Sequence, residues 1–280
     1  MSDELTLREV QMAELEILKT FDAFCKKNGL RYVLYYGTLL GAVRHHGFIP
    51  WDDDIDIAMP RPDYERLLKL YYDEKAVIGD NLELMCGDRD DDFAFAFAKL
   101  ARTDSEILPE SKLYEHEGDG IWIDIFPIDG FPSGEAQAAY LKKAGEFRRD
   151  TGRAITIPGT VRGNEPVWKA IVRIPFVWIA RLKGYRKIRD ELIAFAKSTP
   201  YETAEDVGLV TWNDNSSALV MKKAAFEKLT TLPFEGYEFP VFEDYDDYCT
   251  RRYGRNYMEI PPKSMWESHY IKARMKPGKQ

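Results

Sequence analysis

The chain has 280 residues, 45% hydrophobic and 31% charged, with a formal net charge of −8. That length and balance describe a globular protein with a substantial core, arranged as one large domain or two. The acidic balance argues against general nucleic-acid binding, and three dispersed cysteines without a CxxC pair argue against a disulfide framework or a zinc site. No uninterrupted apolar run approaches the roughly 20 residues of a membrane span. The acidic start Met1-Ser2-Asp3-Glu4 is unlike a signal peptide, so the expected location is cytoplasmic.

Thr6 and Glu9 form a capping box, and Ile17, Leu18, Phe21, Phe24 and Cys25 recur at helical spacing until Asn28-Gly29 ends the helix. Tyr32-Val33-Leu34-Tyr35-Tyr36 predicts a strand leading into a Gly37-Thr38 loop, with a short helix over 39–43. Asp54-Ile55-Asp56-Ile57 predicts a second strand, and Arg61-Pro62-Asp63 opens a helix to about Tyr72. Phe93 to Leu100 alternates Phe and Ala, a strand with Lys99 near its end. Gly120 to Pro127 is a further strand whose only charge is Asp124. From Ser133 to Lys197 the pattern is mainly helical, broken at Pro158-Gly159 and Pro175. The remainder, from Val207, is aromatic and mixed and ends in a basic tail after Lys272. Strands separated by helices imply an α/β or α+β architecture.

The run Trp51-Asp52-Asp53-Asp54-Ile55-Asp56-Ile57 carries the most information. As a strand it puts Asp54 and Asp56 on one face and Ile55 and Ile57 on the other. Paired carboxylates on one face repel and resist desolvation. A hard cation, Mg²⁺ or Mn²⁺, offsets both costs. A solvated acidic loop would not need the alternating isoleucines. A calcium loop fails because Ile57 stands where glycine is required and Asp63 where glutamate is, with Pro60 and Pro62 interrupting it. Backbone amides at Gly37-Thr38 could receive phosphate oxygens. With Asp124 as a third acid, the pattern points to metal-dependent phosphoryl or nucleotidyl transfer.

A Gly-Thr turn, an Asp-x-Asp strand and a third acid resemble the nucleotidyltransferase superfamily. The stretch from Tyr36-Gly37-Thr38-Leu39-Leu40-Gly41 through Phe48-Ile49-Pro50-Trp51 to Asp56 is similar to the signature of the LicD family, which includes bacterial phosphorylcholine transferases and is related to fukutin-type enzymes. Ala98-Lys99-Leu100, Trp122 to Pro127, Arg252-Tyr253-Gly254 and Ile260-Pro261-Pro262 to His269 extend the likeness. Residues 135–205 match no family pattern. The resemblance implies an α+β fold, a nucleotidyltransferase-like mixed sheet flanked by helices with a helical insertion. The expected units are a catalytic core over 1–132, the insertion over 133–205, and a segment over 206–280 that completes the catalytic domain.

It also implies transfer of a phospho-alcohol such as phosphocholine from a CDP-alcohol donor to a hydroxyl of a cell-surface glycan (lipopolysaccharide, teichoic acid or capsule), releasing CMP. Asp54, Asp56 and Asp124 would be the catalytic and metal-binding residues, and Gly37 and Thr38 would hold the pyrophosphate. Arg44, His45, Lys99 and His269 are further candidates for substrate binding. Each has a plainer alternative: a surface ion pair for Arg44, a solvated turn for His45 and His46, a surface lysine for Lys99, a structural role for His269. Two other functions use the same residues: nucleotide transfer to a small acceptor with pyrophosphate release, and non-catalytic binding of a nucleotide or glycan. Basic and apolar residues interleave over 166–189, either as an interfacial helix on anionic lipid at the inner face of the membrane, near a lipid-linked acceptor, or as a helix pair kinked at Pro175 and buried against the core.

Overall fold

The structure, a computed structural model, describes residues 4–112, 114–156, 167–213, 216–266 and 271–277. In chain order its elements are α1 (Leu7–Asn28), β1 (Val33–Leu34), α2 (Tyr36–His45), β2 (Asp56–Pro60), α3 (Arg61–Leu68, continued by a π turn over Lys69–Asp73), β3 (Leu82–Cys86), β4 (Ala98–Arg102) and β5 (Ser105–Ile107). There follow β6 (Trp122–Phe131), α4 (Ala136–Ile155), α5 (Val167–Lys183), α6 (Tyr185–Ala196), β7 (Asp206–Leu209), β8 (Val220–Lys222), α7 (Lys223–Phe226), β9 (Leu229–Phe234), β10 (Tyr237–Phe242), α8 (Tyr245–Tyr253) and β11 (Ala273–Met275).

Among the described residues a seven-stranded mixed sheet runs β1-β2-β6-β4-β3, with β7 on β6 and β8 on β7. Its organiser is β6. The first half of β6 pairs antiparallel with β4 and its last residues with β7, while β2 runs parallel to it from Asp56↔Asp124 to Pro60↔Ile128. Ile55, Ile57, Ile123 and Ile125 are wholly buried, as their alternation with acids demands. Helix α1, closed by the Thr6/Glu9 capping box and Gly29 in the left-handed region, packs Leu15, Leu18 and Phe21 into the same core. Arg61 on α3 forks onto Asp129 on β6 (2.6 and 2.9 Å), a buried pair that pins helix to strand. The fold is thus α+β, a mixed sheet flanked by helices, with α4–α6 lying between β6 and β7 in sequence.

Several boundaries differ from the sequence expectation. The Tyr32–Tyr36 strand is reduced to two residues. Helix α2 starts at Tyr36, so Gly37-Thr38 is its first turn instead of a loop before a helix at Leu39. The cause is closure of the helix on Tyr35, whose carbonyl accepts from the Leu39 amide. The acidic strand begins at Asp56. Asp54 precedes it, because Asp52 and Asp53 are drawn into other contacts by Gln11 and the Ile271 amide. The Phe/Ala stretch becomes strand only at Ala98, since turn and side-chain bonds, including Arg189 to the Phe93 carbonyl, hold its start. Pro175 does not break α5, and Pro158-Gly159 lies outside the described residues. β3 has no counterpart in the sequence reading.

Candidate active site

The strand register builds the site. Asp56 on β2 is level with Asp124 on β6, and Asp124 is level with Lys99 on β4, so three charged side chains form a row across adjacent strands. The Lys99 ammonium is 3.9 Å from Asp124 Oδ1 and lies over the Trp122 ring at 3.6 Å and the Phe95 ring at 5.0 Å. Lys99 is buried, so aromatic faces and one carboxylate replace its water shell. The Asp56 amide donates to the Thr38 hydroxyl (2.8 Å), which fixes the start of β2 against α2. Tyr36 takes a left-handed backbone (φ 41°), a strained state for a bulky residue, directly before Gly37.

Above this row lies a cavity of about 390 Å³. Its acidic and basic lining is Asp53, Asp54, Asp124, Glu117, Lys99 and Arg148, and its aromatic wall is Phe95, Phe97, Tyr114, Trp122 and Trp212. Burial, then repulsion from Asp54, Asp124 and Asp52, lifts Asp56 well above the usual carboxylate range, with Lys99 pulling the other way. Burial raises Asp124 to about 6 against the opposing pull of Lys99, and burial with Asp54 and Asp53 raises Asp52 to about 8. Glu14 of α1 is raised too, first by burial and then by Asp54, Asp53, Asp52 and Asp124. The floor therefore holds more negative charge than bare protein favours.

That excess is what a divalent cation relieves. Asp124 Oδ1 and Glu14 Oε2 are both buried without a hydrogen-bond partner, and the donor set is all carboxylate oxygen, which suits Mg²⁺ or Mn²⁺. Among the described residues no three acidic, His or Cys side chains already stand together as a metal cage. The fit rests on the surplus of oxygen donors and on two buried oxygens that accept no hydrogen bond, of which Asp124 Oδ1 has only its long ion pair with Lys99.

The candidates named from sequence fall into three groups. Asp54, Asp124 and Lys99 line the cavity, and Asp56 joins them through the register. Gly37 and Thr38 sit beside it, where the Asp52 carboxylate approaches so closely that a Cβ on Gly37 would meet Asp52 Oδ2 at 2.7 Å. Arg44 and His45 do not join them. The Arg44 guanidinium donates to the Tyr257 and Glu259 carbonyls and to His45 Nε2, and it lines a different cleft with Trp51 and Tyr257. Arg44 thus ties α2 to the C-terminal segment. His269 lies outside the described residues. Glu14, Glu117, Trp122, Arg148 and Trp212 were not assigned from sequence. Glu14 carried a readable signal, a carboxylate on the helical stripe shared by Val10, Ile17, Leu18 and Phe21.

Carboxylates on neighbouring parallel strands, with a buried lysine level with them and a helix first turn alongside, are the residue types that phosphoryl and nucleotidyl transfer use. Comparison with known proteins narrows this. Residues 29–148 match the family described as LicD/FKTN/FKRP, nucleotidyltransferase domain. The chain is 30% identical over 280 residues to lipopolysaccharide cholinephosphotransferase LicD of Haemophilus influenzae, covering 96% of this chain and 97% of that protein. It is 34% identical over 130 residues to an uncharacterized protein of Rickettsia typhi, covering 44% of this chain and 40% of the relative. Over 73 residues it is 33% identical to mannosyltransferase regulator 4 of Saccharomyces cerevisiae, covering 26% of this chain and 6% of the relative. The chain belongs to the LicD family.

Proposed function

We propose that this protein transfers phosphocholine, or a closely related phospho-alcohol, from its CDP ester to a hydroxyl of a cell-surface glycan and releases CMP. The observation that carries the reading is the Asp56–Asp124–Lys99 row, of which Asp124 and Lys99 line a cavity with an aromatic wall. Asp54, Asp56 and Asp124 would hold Mg²⁺ or Mn²⁺, with Glu14 beside them. The ion would supply charge neutralisation on the diphosphate. Lys99, fixed over Trp122, directs its ammonium at the transferred phosphate. Glu117 is a cavity carboxylate that comes from neither the Asp52–Asp56 run nor β6. Burial raises its carboxyl while Lys99 and Lys112 pull it down, so it is a better base for the acceptor hydroxyl than a metal-held aspartate. The Phe95 and Trp212 rings already carry Lys99 and Arg148, so Phe97 and Tyr114 are the aromatic surface left for a quaternary ammonium, which favours choline over ribitol or glycerol. The name of the Haemophilus influenzae relative supports the same choice and supports lipopolysaccharide as the acceptor class.

A panel of CDP-alcohols with Mg²⁺, assayed for CMP, tests this. CDP-choline is expected to give the highest kcat/KM. Pyrophosphate release from a nucleoside triphosphate would favour nucleotide transfer, and saturable binding without turnover would favour a non-catalytic role.

The acceptor is proposed to be lipid-linked, with α5 resting on the membrane. Among the described residues seven of the fifteen exposed large hydrophobic side chains belong to α5, including Trp168, Phe176, Trp178 and Leu182, whereas Val177 and Ala180 are buried. A helix pair buried against the core would not leave them in water. Residues 166–189 hold seven Lys or Arg and no Asp or Glu, so anionic lipid complements the segment better than a second acidic-floored copy bearing the same basic helix. No helix among the described residues is long and apolar enough to cross a membrane. Co-sedimentation with anionic vesicles at low salt is the test. Equal recovery in the supernatant with and without vesicles would remove this contact.

A further inference from the structure

The cleft lined by Arg44 measures about 710 Å³, inside the roughly 300–1,000 Å³ of whole-ligand sites. One wall is α2, through Leu40 and Arg44. Gly37 shares that helix face at i, i+3 and i+7, so the wall leads back to the first turn beside the acidic row. Trp51 lines the cleft while Asp53 and Asp54 of the same run line the catalytic cavity, so residues 51–54 separate the two spaces. The far wall belongs to the segment from Tyr253 to Pro262. Tyr253 exposes 37% of its surface, yet its hydroxyl lies deep. Burial raises that hydroxyl's pKa first of all, Arg252 opposes, and the charges of Cys249, Asp56 and Asp52 add to the rise. The cleft thus approaches the acidic row from the other side of the 51–54 run.

Arg44 gives the far wall its shape. Its Nη1 donates to the Tyr257 and Glu259 carbonyls (2.9 and 3.3 Å). Two turn bonds, Tyr257 amide to Gly254 carbonyl (3.1 Å) and Glu259 amide to Asn256 carbonyl (2.8 Å), fold the segment on itself. Gly254 takes φ 91°, a conformation that side chains disfavour, so the turn needs glycine there. Trp266 stacks on Trp51 at 3.9 Å and its Nε1 donates to the Pro261 carbonyl (2.9 Å). Held this way, Asn256 and Glu259 stand exposed on the cleft beside Tyr253. Among the described residues the lining has one cation and one carboxylate, and that cation, Arg44, is engaged by carbonyls. Such a space suits an uncharged ring with hydrogen-bonding edges better than a phosphate.

We propose that this cleft binds the nucleoside of the donor, with cytosine read by Glu259 and Asn256. The assignment rests on the proposed transfer from a CDP ester. Cytosine offers an amino donor at N4 beside acceptors at N3 and O2. The Glu259 carboxylate accepts from N4, the pairing acidic side chains make with this base, and the Asn256 amide donates to N3 or O2. The exposed Tyr253 ring supplies a stacking face. Uracil reverses the pattern, so its O4 meets a carboxylate that cannot donate. The donor then lies along the acidic run: base in the cleft, diphosphate at the row and the first turn of α2, choline on the aromatic wall. The P–O bond to the acceptor forms on the face opposite the P–O bond to CMP that breaks. A nucleotide leaving toward the cleft frees the cavity side for the acceptor hydroxyl, whose proton Glu117 takes.

Equilibrium binding of CMP and UMP to the intact protein in Mg²⁺, without acceptor, tests the cleft apart from turnover. Wild type is expected to prefer CMP by roughly tenfold or more. Glu259→Gln should bring that preference below about threefold, because a glutamine amide donates to uracil O4 as readily as it accepts from cytosine N4. Glu259 is exposed, so the fold is expected to survive, which an unchanged urea midpoint checks. Tyr253→Ala should weaken both nucleotides about tenfold with the preference kept. Equal binding of CMP and UMP by wild type, or a preference unaltered in both Glu259→Gln and Asn256→Ala, overturns the assignment while the transfer reading stands. Variants that raise the acceptor KM and leave CMP binding unchanged overturn it too, since the cleft then holds the acceptor sugar. A wild type that binds neither nucleotide removes the transfer reading, and the cleft assignment with it.

Discussion

The sheet and the α4–α6 insertion handle charge and apolar surface in opposite ways. In the sheet, Asp56, Asp124 and Lys99 are held by strand register over isoleucines that are wholly buried, so each carboxylate pays a full desolvation cost and is lifted from its ordinary pKa. In the insertion, arginines line a small pocket and apolar side chains stand in water along α5. Acidic crowding in a core is relieved by protonation or by a cation; basic residues beside an exposed apolar helix are the composition that suits an anionic surface. The comparison teaches that a chain of net charge −8 can still hold a locally basic face.

The largest effect is expected at the row itself. Asp124→Asn should lower kcat by roughly 10³-fold or more, several kcal/mol of lost transition-state stabilisation, with the fold intact. Near-normal turnover in Mg²⁺ would break the contrast at its acidic end. Next comes the Arg61–Asp129 pair, which locks α3 to β6 without touching the cavity. Asp129→Ala leaves a buried guanidinium with only its longer contact to Glu65 (3.4 Å) and should cost about 3 kcal/mol in urea unfolding. A loss under 1 kcal/mol would mean that the pair is not the lock it resembles.

A smaller effect concerns pH. Asp124 is raised to about 6 and Asp52 to about 8, so the folded metal-free protein binds more protons than the unfolded chain, whose aspartates titrate near 3.9. Stability contributed by these groups therefore falls as pH rises from about 4 through about 8. In EDTA, Tm is expected to drop by roughly several degrees between pH 5 and 9, with saturating Mg²⁺ restoring most of it. A metal-free Tm that rises over that window would sink the crowding argument. The smallest effect lies on α5. Ile179→Gln/Leu182→Gln should change stability by within about 0.5 kcal/mol, as at other exposed positions, while vesicle co-sedimentation falls markedly. A large stability loss would show that α5 is core after all.

Read alone, the residues determined a good deal of this protein. Alternation of Asp and Ile across 54–57 and the lone Asp124 in an apolar run depend on local period, so the acidic strands, the buried isoleucines and the α1 caps could be read without coordinates. The Lys99 prediction rested on the same local logic, a charge closing an apolar row. What the sequence could not carry was register. Whether Asp56 stands level with Asp124, and Asp124 with Lys99, depends on pairing between segments distant in the chain, and a slip of one residue would turn every side chain to the other face. Arg44 illustrates the same limit, since its partners are carbonyls of residues 257 and 259. Glu14, Arg148 and Trp212 reach the site only because α1, α4 and the turn after β7 pack beside it. Tertiary structure alone decided those neighbours, because burial and long-range packing, which set charge and pKa, leave no periodic mark in the chain.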